Sequence, residues 1–109
     1  MSLVLFAAQR LSAVVLAFAV AAHLATVIYA VRGGLTAGEI LARTQGNRWF
    51  LAFYVVFVVA VAVHAPIGVR NILREWTRWG GVSLDLAMVG FAVLLAALGL
   101  RAALAVYAT

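Results

Sequence analysis

The chain has 109 residues, of which 68% are hydrophobic, and its eight basic and three acidic residues give a formal net charge of +5. A soluble protein of this size would expose far too much apolar surface to water, so the composition excludes the soluble classes and predicts an all-α protein embedded in a bilayer. The absence of cysteine excludes thiolate zinc sites, iron–sulfur clusters and covalently attached c-type haem.

Three apolar segments are long enough to cross a bilayer as helices, for which about 20 residues suffice. They cover about residues 3–31, 48–74 and 82–107. The apolar stretch of the first segment beyond Arg10 exceeds the roughly 7–15-residue core of a secretory signal peptide, so we expect it to be retained as a span. The sequence therefore predicts one transmembrane domain, 1–109, with three helices.

The two connections between the predicted spans carry turn and capping signals. The first contains a glycine pair and then Thr36-Ala-Gly-Glu39, a capping pattern that predicts a short amphipathic helix ending near Gly46. The second, residues 76–81, is short and contains two tryptophans, which favours a tight turn at the membrane surface.

The arginines mark the two sides of the predicted membrane domain. Arg10, Arg70, Arg74 and Arg78 lie on the N-terminal side, and Arg32, Arg43, Arg48 and Arg101 lie on the other. Equal numbers on both sides do not orient the chain, but the cluster from Arg70 to Arg78 favours a cytoplasmic N-terminus. We expect a multi-pass protein of a bacterial inner membrane, and no nucleic-acid partner, because these cations lie at helix ends.

The second span contains one histidine in an apolar environment. His64 follows residues 51–63, which carry no charged side chain, and an imidazole in hydrocarbon needs a strong partner such as a metal centre. Gly68 lies one turn further on the same face, where a flat group could approach the backbone. Pro66 removes one helical hydrogen bond and is expected to bend the helix beside His64.

The first span carries a second polar stripe, formed by Gln9, Ser12 and His23 with small residues between them. His23 is either a structural residue that bonds to a neighbouring helix or a metal ligand. From the helical rise, His23 and His64 differ in depth by about 15 Å, so they should not bind one iron within one chain.

The second span resembles the cytochrome b membrane-anchor subunit of succinate dehydrogenase and fumarate reductase. His64-x-x-x-Gly68-Val-Arg70 is similar to the helix-II signature His-x-x-x-Gly-(Ile/Leu)-Arg-His of that family, although Asn71 stands where the second histidine is common. In the family the first histidine is an axial ligand of haem b. The resemblance therefore implies that His64 binds haem iron, with Gly68 beside it.

The start of the chain adds to this resemblance. Gln9-Arg10-Leu-Ser12-Ala-Val is similar to the family segment His-Arg-hydrophobic-(Ser/Thr)-Gly-Val, with Gln9 in place of the histidine. In the family that arginine lies near the quinone and the haem propionates. The resemblance makes Arg10 and Arg70 candidates for those contacts, and Gln9 and Ser12 candidates for weaker ones.

The resemblance implies an anchor without a dicarboxylate site of its own. It would dock a flavoprotein subunit and an iron–sulfur subunit and transfer electrons between haem b and quinone. Two histidines cannot complete the ligation alone, so a second membrane-anchor chain or another copy is implied. Either His23 is structural and His64 pairs with a histidine of another chain, or each ligates a separate haem, as in the two-haem anchors of the superfamily. The second reading is the one we favour.

Two other classes stay open. One is a small oligomeric transporter in which His23 and His64 handle protons, although no carboxylate lies in the middle of a span to couple transport. The other is a haem-free assembly or scaffold protein in which the histidines serve packing. A b-type haem spectrum separates the electron-transfer reading from both.

Overall fold

A computed structural model describes residues 2–108. Within that range the chain is helical with short connections and contains no β-strand; the helices are α1 (Leu3–Gly33), α2 (Ala37–Thr44), α3 (Arg48–Trp76) and α4 (Gly81–Ala108). The three long helices α1, α3 and α4 are long and apolar enough to cross a membrane. The predicted all-α class with three spanning helices is confirmed, and the chain is a multi-pass membrane protein.

Capping side chains fix where the helices begin. The side chains of Ser2 and Asn47 accept backbone N–H groups at the starts of α1 and α3. At the start of α2 the Thr36 hydroxyl accepts the Glu39 N–H at 3.2 Å and donates to the Glu39 carboxylate at 2.7 Å. The predicted cap and the short helix that follows it are therefore confirmed.

The corner between α1 and α2 depends on a glycine. Gly34 has φ +114°, and a Cβ at this position would overlap the Glu39 carboxylate. Its carbonyl accepts a hydrogen bond of 2.7 Å from Nη2 of Arg43. The corner thus brings α2 back over the end of α1.

The connection between α2 and α3 is tied to the end of α4. Thr44 is buried, and its hydroxyl donates to the carbonyl of Val106 at 2.9 Å. The N–H of Gly46 donates to the carbonyl of Tyr107 at 3.0 Å. These bonds pair carbonyls at the helix C-terminus that have no partner within the helix.

The three long helices form an open arrangement with α3 in the middle. α3 packs against both α1 and α4, which hardly touch each other. The buried core is small: in the described part of the chain its apolar members are Ala19, Ala60, Leu84 and Ala103, together with Pro66. Large apolar side chains line the outside, as expected where lipid or other membrane chains cover the surface. α3 continues through Pro66 without interruption.

Candidate functional site

Polar residues of α1 and α3 meet at one point of their interface, which we name the His64 cluster: Gln9, Ser12, His64 and Gly68. The Oγ of Ser12 lies 3.4 Å from Nδ1 of His64. One turn away, a Cβ built on Gly68 would lie 3.4 Å from Nε2 of Gln9. The antiparallel packing of α1 and α3 therefore brings these predicted site residues together from two distant segments.

Ser12 lies beside one ring nitrogen of His64 and is also within reach of a backbone carbonyl. Its hydroxyl donates to the carbonyl of Gln9 at 3.1 Å, and its Oγ is 3.4 Å from Nδ1 of His64. With its one proton committed to Gln9, Ser12 can only accept from His64, which favours the tautomer with hydrogen on Nδ1. No side chain or backbone group within residues 2–108 bonds to Nε2. In that tautomer Nε2 is the nitrogen that would coordinate a metal.

Gln9 fills the space beside Gly68. Its amide nitrogen is in ordinary contact range of a side chain at that position, so the expected gap for a flat group is closed by Gln9 here. The other amide atom, Oε1, is buried and accepts no hydrogen bond from any described residue. A buried acceptor without a donor is costly, so Gln9 offers one unused bond to a bound group.

His23 lies in a separate environment. Its Nδ1 is 2.8 Å from the hydroxyl of Tyr54 on α3. The imidazole meets the ring of Phe57 edge-on, with the centroids 5.6 Å apart, and the Tyr54 and Phe57 rings are parallel. His23 therefore has the bond to a neighbouring helix that a structural role requires, and its Nε2 has no partner among residues 2–108.

Tyr54 is a site residue that sequence reasoning missed. Its hydroxyl is a polar group within the otherwise apolar stretch 51–63. Tyr54 lies 10 residues before His64, and His23 lies 11 residues after Ser12 on the antiparallel helix. This near-equal spacing was the available signal.

The two histidines are well separated along the helix axes. The contacts Ser12–His64 and His23–Tyr54 lie at two levels of the same interface, about 15 Å apart along the helix axes. The separation expected from the sequence is therefore present in the structure. No single iron can be shared by His23 and His64 of one chain.

An apolar groove of about 620 Å³ lies beside His23, between α3 and α4. His23 and Tyr54 contribute its polar side chains, and the remaining walls are aliphatic and aromatic, including Phe50, Phe57 and Leu98. The groove gives the His23 ring a neighbouring space that an apolar group could enter.

Arg70 lies at the other interface of α3. Its Nε donates to Oδ1 of Asp85 on α4 at 2.7 Å. Around the helix axis Arg70 is about 120° from His64, so it does not join the His64 cluster. The pairing was not expected from the sequence, although a tight connection between two helices places the end of one beside the start of the next.

Arg10 also lies away from the cluster. It is exposed on α1, and its guanidinium carbon is 5.9 Å from the ring centroid of Phe6 on the same helix. The structure therefore brings Gln9, Ser12 and Gly68 to His64 but leaves Arg10 on the outer surface of the chain.

The small number of metal-binding side chains limits which metal-containing group the protein could hold. Residues 2–108 hold no group of three or more histidine, aspartate or glutamate side chains that could bind a metal ion. A haem supplies four nitrogens of its own and needs only axial imidazoles from the protein. The chain offers two single imidazoles, each with Nδ1 in contact with a hydroxyl, as candidates for that role.

Comparison with protein-family models, with curated proteins and with solved structures finds no match to this chain. The function is therefore inferred from the geometry of the two histidines and from the local resemblance in the first two spans.

Proposed function

We propose that the protein is the cytochrome b membrane-anchor subunit of a succinate dehydrogenase- or fumarate reductase-type complex, with His64 as an axial ligand of haem b. The observation that supports this proposal is the Ser12–His64 contact, because with the Ser12 proton on Gln9 it favours the tautomer whose Nε2 lone pair can coordinate iron. When bound, the haem supplies one-electron transfer between the soluble subunits and quinone.

In this proposal Ser12 and Gln9 are positioning residues around the imidazole of His64. Ser12 holds the tautomer and orientation of His64, as partners of metal-binding histidines generally do. Gln9 now fills the space beside Gly68, so a haem at His64 requires its side chain to move, and its unpaired Oε1 could then accept a hydrogen bond from the bound group. Ser12 thus supports a ligand at His64 as the site stands, and Gln9 does so only after this movement.

The second axial ligand of each haem would come from another chain. His23 is about 15 Å too distant along the helices, so a second membrane-anchor chain or another copy of this one is part of the proposal. His23, with its Nδ1 on Tyr54, is the candidate ligand of a second haem near the opposite membrane face. The open sides of α1 and α4 leave apolar surface for such a partner.

The arginines are the candidates for contacts with haem propionates or quinone at the edge of the membrane. Arg10 is exposed and is our candidate for the haem propionates or the quinone. Arg70 is less suited to the haem on His64, because it faces α4 and is paired with Asp85. A flavoprotein subunit and an iron–sulfur subunit would dock on the cytoplasmic side of a bacterial inner membrane.

A haem-free assembly protein is the second candidate, and the His23–Tyr54 bond favours it. A histidine that is hydrogen-bonded to a tyrosine and enclosed by aromatic rings needs no metal to be stable in the membrane. In that case His64, with only the 3.4 Å contact to Ser12, would also be a packing residue.

The test is a reduced-minus-oxidised spectrum of the protein purified from its native membrane with its partners. The proposal expects a b-type band that is lost in His64→Ala and kept in Thr26→Ala, whose exposed hydroxyl bonds only to its own helix. His23→Ala should remove a second, spectrally distinct haem where two are present. Absence of a b-type band in the unmodified protein would overturn the proposal.

A further inference from the structure

A second cavity, of about 330 Å³, lies between the helices on the side of the molecule where α3 ends and α4 begins. Its walls are mainly aliphatic, with residues such as Leu5, Pro66 and Met88, and Arg70 and Asp85 are its charged members. The cavity therefore combines a long apolar surface with one fixed ion pair.

Arg70 has a donor that this chain does not use. Asp85 accepts from Nε, whereas Nη1 is buried and makes no hydrogen bond to any described residue. A guanidinium presents its N–H groups in a rigid fork that matches the oxygens of phosphate or carboxylate. No described residue supplies an acceptor for Nη1, so an oxygen from another molecule would complete its hydrogen bonding.

The position of Arg70 identifies the source of that acceptor. Arg70 lies about 9 Å before the end of α3, where Trp76 is 82% exposed, as is typical of the head-group region. Arg74 and Arg78 follow on the same side and outweigh the single carboxylate of Glu75. An acceptor from the head-group layer would thus meet an excess of positive charge despite Asp85.

We propose that this cavity is a binding site for one anionic phospholipid, whose phosphate accepts from Nη1 of Arg70 and whose acyl chain lies along the aliphatic walls. Asp85 holds the guanidinium at the cavity through Nε and leaves Nη1 without a partner, so that a small side-chain shift would expose it to the lipid phosphate. The inference stands apart from the proposed haem function, because the residues involved lie on another face of α3.

The experiment is native mass spectrometry of the whole protein, released from lipid nanodiscs and delipidated in detergent, with phosphatidylglycerol or phosphatidylcholine added back. We expect one phosphatidylglycerol per chain to be retained in preference to phosphatidylcholine. Arg70→Gln should lower this retention about tenfold, the effect of losing one charge-assisted hydrogen bond. Arg101→Gln, which removes the same charge from an exposed arginine on the opposite side of the membrane domain, should leave it unchanged.

Ala92→Phe provides an independent variant if Arg70→Gln fails to fold. It fills the cavity and leaves the Arg70–Asp85 pair intact, and it should also reduce phosphatidylglycerol retention. Equal retention of the two lipids, or full retention in both Arg70→Gln and Ala92→Phe, would overturn the inference. Loss of haem from Arg70→Gln with lipid retention unchanged would assign the guanidinium to a propionate and would overturn it as well.

Discussion

Ser12 and His64 meet across the interface of α1 and α3 with 3.4 Å between Oγ and Nδ1, while the Ser12 proton is donated to the carbonyl of Gln9. The contact links a residue near the start of one spanning helix to one in the second half of another. While that proton stays on Gln9, the contact favours hydrogen on Nδ1 of His64, because a single hydroxyl proton cannot serve both partners.

Removing the Ser12 hydroxyl should weaken the binding of any metal group at His64. Ser12→Ala leaves Nδ1 without its acceptor, and loss of such a partner typically lowers metal affinity about 10- to 100-fold. The measurement is haem retained per chain after purification, with its midpoint potential. Ser12→Thr keeps a hydroxyl and should restore binding, provided that the extra methyl fits. Unchanged haem content and potential in Ser12→Ala would show that the contact has no role in ligation.

The bond between His23 and Tyr54 should contribute to stability. Tyr54→Phe keeps the ring packing and removes the 2.8 Å hydrogen bond, which should cost about 0.5–1.5 kcal/mol. Thermal unfolding in detergent measures this loss. Tyr29→Phe is the matched control, because Tyr29 is 68% exposed and its ring contact with Arg43 survives the change. Equal stability of the two variants would contradict the prediction.

Close packing of α3 and α4 should depend on Gly99. A Cβ at this position would lie 2.7 Å from both methyl groups of Val58, so Gly99→Ala should destabilise the protein by about 1–3 kcal/mol. Gly90→Ala on the same helix meets nothing within 4 Å and should be neutral or stabilising, since alanine favours the helix. Unfolding in detergent measures the stability of Gly99→Ala and of Gly90→Ala.

Unfolding of a double variant in detergent can show whether the clash with Val58 causes the loss of stability in Gly99→Ala. Val58→Ala combined with Gly99→Ala should recover part of the lost stability, because the methyl groups that oppose the new Cβ are gone. If the double variant is only as stable as the sum of the single changes predicts, the clash is not what destabilises Gly99→Ala.

The attachment of the α2–α3 connection to the end of α4 should depend on the hydroxyl group of Thr44. Thr44→Val keeps the shape but leaves the carbonyl of Val106 without this donor, at a cost of about 1–3 kcal/mol. Thr26→Val, with an exposed hydroxyl bonded within its own helix, should change stability by much less. Faster proteolysis at residues 44–47 in Thr44→Val, but not in Thr26→Val, would localise the effect.

Sequence patterns predicted the helices closely. The expected spans 3–31, 48–74 and 82–107 became α1, α3 and α4 with ends shifted by one or two residues. Hydropathy and length suffice for this because a segment in lipid must satisfy its own backbone hydrogen bonds and therefore forms a helix. The cap at Thr36 followed from local spacing alone, since its partners lie within one turn.

The site was only partly predictable. Helical periodicity placed His64 and Gly68 on one face, and Gln9 and Ser12 on another, but did not show that these faces meet. It also missed that Tyr54 bonds to His23 and that Arg70 pairs with Asp85. Such pairs depend on the rotation and register of packed helices, which no single helix specifies.

The amino-acid sequence by itself determined that this protein is helical, that it spans a membrane and that each of two spans carries one isolated histidine. Only the tertiary structure decided which side chains those histidines meet, which ring nitrogen of His64 lies against Ser12 and which face of α3 Arg70 occupies. The physical reason is that lipid selects apolar helices one segment at a time, whereas a hydrogen bond between helices requires two backbones to be in one particular register.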